Sequence, residues 1–105
     1  MLQELIAEDR RRIYELEQQL LSIERGTSHM QVSDVYLGLS EMADRLEELN
    51  SMANRESKGR RDDMRRRILH LQTSHGHVRS NLDNLVRRLN SKKCDLDRMQ
   101  LFGTR

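Results

Sequence analysis

The sequence predicts an all-α fold, an antiparallel up-down-up bundle of three helices with a left-handed sense. Three observations predict it. The chain of 105 residues has no proline and only five glycines, the residues that stop helices. Its apolar residues fall into three stripes spaced alternately by four and three positions, which keeps one face of a helix turned to a neighbour. Two short breaks separate the stripes, and short connections make successive helices antiparallel neighbours. Aromatic residues make up 3% of the chain against 34% charged, far from the β-branched and aromatic content of strands, so a sandwich or barrel is excluded.

The first stripe is Leu2, Ile6, Ile13, Leu16, Leu20 and Ile23, with Asp9 filling one position, and it predicts a helix over 2–25. Gly26 follows, where a C-terminal cap favours positive φ. The second stripe, Val32, Val35, Leu39, Met42, Leu46, Leu49 and Ala53, predicts a helix over 32–55 with Ser33 available to cap it. The third, Met64, Ile68, Leu71, Val78, Leu82, Leu85 and Leu89 with His75 in one position, predicts a helix over 60–97 that carries on through Leu96 and Met99. The break before it runs from Asn54 to Gly59, with Asn54 or Ser57 as candidate cap, and Asp62 and Asp63 suit the dipole of its first turn. Leu5, Leu21, Leu37, Leu69 and Val86 widen the stripes so that each helix meets two others. Residues 1–97 are thus expected to form one domain, with 98–105 opening a linker. Leu16, Leu20, Met42, Leu46, Leu49, Leu71, Val78, Leu82 and Leu85 are its expected core. The same heptads also suit an extended coiled-coil oligomer.

Charge and composition remove several function classes. A net charge of +2 is too small for a protein whose affinity rests on neutralising phosphates. Cys94 has no second cysteine to pair with, as befits a reducing compartment. No apolar run approaches the ~18 residues that span a bilayer, and Glu4, Glu8 and Asp9 occupy the place of a signal peptide's basic start, so the chain reads as soluble. His70, His75 and His77 lie close in sequence, but a metal site needs a converging fourth ligand; they read as solvated helix residues with His75 at the seam, and no metal or cofactor is expected. Asp9 and His75 are the polar members of apolar stripes. They are either a buried pair that sets register or two wet residues at a bundle rim, and Asp9's place near a helix start favours the rim. The run Arg60 to Arg67 offers charge to an acidic partner or lipid headgroup, although Asp62 and Asp63 within it favour internal pairing. Nothing resembles a catalytic constellation, so an enzyme is not expected.

The strings Ile13-Tyr14-Glu15-Leu16-Glu17, Ile23-Glu24-Arg25, Arg45-Leu46-Glu47-Glu48-Leu49 and Asn54-Arg55-Glu56-Ser57, then Arg60-Arg61 and Arg65 to Leu71, resemble the N-terminal region of the membrin family. The likeness continues through His77, Leu82, Asn84 and Arg88 to Gln100-Leu101-Phe102-Gly103. Membrins are Qb-type SNAREs of endoplasmic reticulum to Golgi transport. The resemblance implies a three-helix domain of the Habc type upstream of a SNARE motif and a membrane anchor, neither of which is present in these 105 residues. It implies a regulatory or recruitment role in vesicle transport and membrane fusion, on the cytosolic face of Golgi and endoplasmic reticulum membranes. The implied partners are other SNAREs, the protein's own SNARE motif, tethers, or regulators of the Sec1/Munc18 type.

A bundle recognises a partner helix in a groove between two of its members, where apolar side chains outside the three-way core meet the partner's stripe. Tyr36, Leu37 and Ala43 on the second helix and Leu69 and Val86 on the third are the candidates, with ordinary core edge as their plain alternative. The competing function is a structural coiled-coil adaptor or oligomerisation module without a membrane role.

Overall fold

The computed structural model describes residues 1–26 and 31–103, with side chains up to Lys92. They form three helices, α1 (Leu2–Glu24), α2 (Val32–Ala53) and α3 (Lys58–Gly103). Each predicted helix is present, and the described residues contain no strand. The side chains of Cys94, Leu96 and Met99, and residues 104–105 of the expected linker, lie outside the described residues.

Local chemistry explains the ends. Gly26 takes φ +71, and its N–H donates to the Ile23 carbonyl at 3.1 Å, closing α1 in the left-handed conformation that glycine adopts without a Cβ clash. The cap of α2 is not Ser33: Gln31 occupies the N-cap in extended conformation, and its N–H donates to Asp34 Oδ2 at 3.1 Å. Asp34 is the better partner because its carboxylate is three residues along, where a capping side chain reaches back to the helix start. At the second break the structure begins α3 at Lys58, two residues before the expected start. Gly59 falls inside the first turn, where the Ser57 carbonyl accepts the Arg61 N–H at 2.7 Å. A glycine in a terminal turn costs too little to stop a helix of 46 residues. At its other end α3 runs to Gly103, past the expected 97.

Cross-helix contacts fix the directions. Along α2 from Gly38 to Arg45, the facing residues of α1 fall from Leu16 to Asp9, so the two run antiparallel. Tyr36 meets Asp83, Leu39 meets His75, and Asn54 meets Arg65, so α3 is antiparallel to α2 and parallel to α1. All nine expected core residues are buried, Leu82 completely, and Leu39 and Ile68 join them with no exposed surface. Each such side chain removed from water contributes about 1.5–3 kcal/mol, and this packing of apolar faces is the main source of helical stability in a folded protein. The described residues contain no helix long and apolar enough to cross a membrane.

Candidate partner-binding surfaces

The five surface candidates divide among three places. Tyr36 and Val86 are half-buried against the core, on the seam where α2 meets α3. Ala43 is exposed two turns after Tyr36 and therefore on the same flank of α2. Leu37, 60% exposed, points from the outward face of α2, whereas Leu69, equally exposed, stands on the outward face of α3 beside Arg66 and Thr73. One surface thus unites Tyr36, Ala43 and Val86, and the two leucines belong to others.

The α2–α3 seam is held by charge-assisted contacts that the apolar pattern does not reveal. The Tyr36 hydroxyl donates to Asp83 Oδ1 at 2.6 Å, and Arg79 approaches the same oxygen at 3.4 Å. The Arg79 guanidinium also lies 4.9 Å from the centre of the Tyr36 ring, a cation–π distance. The hydrogen bond from Tyr36 lowers the Asp83 carboxyl below the usual aspartate range, and the same bond raises the Tyr36 phenol above its ordinary value. Both directions follow from one cause, since the bond favours charged Asp83 and neutral Tyr36.

Asp9 does not lie at a wet rim. It is 1% exposed, and its partner is Arg45 of α2 rather than His75, with Nη2 3.0 Å from Oδ1. No N–H is aimed at that oxygen, so the contact is an ion pair without a hydrogen bond. Burial raises the Asp9 carboxyl above the usual range, Arg45 pulls it down, and Glu8 and Glu48 push it up again. Asp9 is buried despite its early position because the packed face of α1 runs on past it to Ile6 and Leu2, both buried. His75 is half-buried at the α2–α3 seam, as expected, with Nε2 2.7 Å from the Leu39 carbonyl oxygen. His70 and His77 are exposed, and no three His, Cys, Asp or Glu side chains among the described residues are placed to hold a metal ion.

Three arginines of the basic run of α3 are engaged within the domain. Arg67 pairs with Asp63 at 3.3 Å, Arg60 reaches Glu56 at 4.0 Å, and Arg65 donates through Nε to Asn54 Oδ1 at 2.9 Å. Arg65 thereby fastens the start of α3 to the end of α2. The Arg67–Asp63 pair is the pairing within the run that Asp62 and Asp63 led us to expect, whereas Arg60 and Arg65 turn to Glu56 and Asn54 outside it.

The described residues thus form a three-way core with charged seams and single exposed apolar residues. Residues 2–104 match the family model described as BOS1/GOSR2/MEM11, N-terminal domain. The chain belongs to this family. Membership makes it a SNARE N-terminal domain, a non-catalytic class of vesicle transport whose members act by binding other proteins, SNAREs among them. The resemblance read from the sequence and the family match agree over nearly the whole chain. No curated protein and no solved structure matched the chain.

Sequence reasoning missed three residues that shape these surfaces: Arg45, Asp83 and Gly38. Gly38 is buried, and a Cβ built there would come 2.7 Å from Leu16 Cδ2. Its position on the α1-facing flank of the second stripe was the available signal, since a glycine inside a helix is retained most often for close packing.

Proposed function

We propose that this domain is the regulatory and recruitment half of a membrin-like SNARE that works between the endoplasmic reticulum and the Golgi. It acts on the cytosolic face of those membranes by capturing proteins through its helical surface. The observation that carries the reading is the family match over residues 2–104, on a chain that also folds as three packed helices. Its partners are other SNAREs, the protein's own SNARE motif, tethers, or Sec1/Munc18-type regulators. The α2–α3 seam is the surface we assign to them: Ala43 is exposed there, and Tyr36 and Val86 are half-covered, so a partner side chain that finishes their burial gains apolar area without unfolding the domain. Leu37 and Leu69 lie off this seam and contribute little to it.

The reading is tested by expressing the full-length protein with a fluorescent tag and capturing partners on the isolated domain. Early secretory membranes should carry the tag, and the domain should retain SNAREs or their regulators. Ala43→Arg and Val86→Asp should each weaken that capture while leaving the helical circular dichroism intact. Localisation to another compartment rejects the trafficking step, and undiminished capture by both variants rejects the seam.

A further inference from the structure

The seam between α1 and α2 carries a feature that the α2–α3 surface does not use. Gly38 packs so closely against Leu16 that the leucine fills the space a Cβ would take, and Leu16, Gly38 and the exposed Leu37 line a groove along this seam. Asp34 and Glu41 of α2 form one wall, and Arg12 of α1 stands on the other. A lone exposed leucine needs no explanation. A leucine beside a groove lined by Leu16 offers a ridge and an apolar socket together, the shape that one side chain of a docking helix fits.

Charge decides the occupant. Asp34, Leu37, Glu41, Asp44 and Glu48 recur every three or four residues, so they form one straight row along the outward face of α2. The α1 helix holds six acids against three arginines, and α2 holds five acids against Arg45 alone. The nearby cations are already committed: Arg12 leans to Glu15 at 4.0 Å, and Arg45 lies 3.0 Å from Asp9 and 3.9 Å from Glu8. Among the described residues Glu41 and Asp44 have no ion pair or hydrogen bond. The groove therefore faces water with surplus negative charge.

We propose that this groove receives a basic amphipathic helix of a partner protein. One apolar side chain seats in the groove against Leu16 and Leu37, and Lys or Arg residues one turn to either side face Asp34, Glu41 and Asp44. A second copy of this chain is the weaker occupant. Its Leu69 is flanked by Arg65 and Arg66, but Arg65 is held by Asn54, and α3 lies on the far side of the bundle from the α1–α2 seam, so such contacts would not close. The proposal is independent of which compartment the parent protein serves.

The test is a fluorescence anisotropy titration of the domain with a labelled 18-residue helical peptide, carrying one central Leu and Arg at the positions three and four residues to each side. A control peptide carries Glu at those positions. The basic peptide should bind saturably and one-to-one, more weakly as salt rises, and the acidic peptide should not bind. Leu37→Ser and Glu41→Lys should each weaken binding about tenfold with unchanged circular dichroism, while Arg66→Glu leaves it unchanged. Absence of saturable binding, or binding by both groove variants as tight as that of the wild type, overturns the proposal. Sedimentation velocity supplies the second arm. Self-association abolished equally by Glu41→Lys and Arg66→Glu would assign the groove to a second copy and overturn the partner reading.

Discussion

Asp83 of α3 accepts the Tyr36 hydroxyl of α2 at 2.6 Å, and the two groups shift each other's proton affinity in opposite directions. Tyr36→Phe should therefore lower the urea midpoint at neutral pH. The folded-state carboxyl of Asp83 lies below its unfolded value, so its stabilisation is present above about pH 3.8 and is lost as pH falls through the depressed value. The midpoint difference between wild type and Tyr36→Phe should shrink on acidification over that window. A difference that stays constant from pH 7 to pH 3 would show that Tyr36 acts through packing alone.

Asp9 gives the opposite sign. Its folded-state carboxyl is raised, mainly by burial, so its contribution is full below about pH 3.8 and is lost as pH rises through the raised value. At neutral pH the buried charge is a burden that one partly exposed arginine offsets incompletely. Asp9→Leu should raise stability at pH 7 by about 1 kcal/mol, because it removes the buried charge and leaves only Arg45, 43% exposed and free to be solvated. Arg45→Ala should lower it, since the carboxylate then stays buried without a partner. Chemical denaturation of both variants checks the pair, and a destabilised Asp9→Leu would mean that the ion pair outweighs its desolvation.

Two glycines in helix interiors should respond differently to alanine. At Gly76 an added Cβ meets nothing within 4 Å, so Gly76→Ala should stabilise by about 0.5–1 kcal/mol through helix propensity. At Gly38 the Cβ would land 2.7 Å from a terminal carbon of Leu16, itself 3% exposed and hemmed in by the core. Moving Leu16 consumes the propensity gain, so Gly38→Ala should be neutral or destabilising. Thermal melts of the two variants should separate, Gly76→Ala upward.

Leu82 is completely buried at the centre of the third stripe, and Leu46 is 3% exposed in the second. Truncating either to alanine should cost about 2–5 kcal/mol, a large share of the roughly 5–15 kcal/mol that small domains possess. A neutral melt for Leu82→Ala would contradict its place in the core.

The helices were legible because the core is one-sided. Each stripe from Leu2 to Ile23, Val32 to Ala53 and Met64 to Leu89 has one apolar face, and periodicity is a local property. The partner of Asp9 was not legible, because a helical pattern ranks residues by face and not by reach. Arg45 stands at the margin of the second stripe, and its long side chain carries the charge into a place that its Cα does not occupy. Gly59 looked like a break because glycine weakens helices, yet position within the first turn decides the cost. The surface candidates were chosen for being apolar and off the core line. That criterion holds for Tyr36 and Leu37 alike, although neighbouring positions on a helix point about 100° apart and so meet different neighbours.

The layer that joins Glu24 to Arg88 at 3.2 Å lies within a turn of the last described partner that α1 and α2 offer to α3. From Leu89 to Gly103 the α3 backbone continues as helix for about 22 Å, in a molecule 72 Å long. A flexible segment of the same length would have a similar mean reach, near 21 Å, but no fixed heading. A helical rod keeps its heading. Turning the bundle about its own axis therefore turns the far end by the same angle, and tilting the bundle swings that end through an arc, so that α3 carries torque from the packed layers to Gly103 as a crank does.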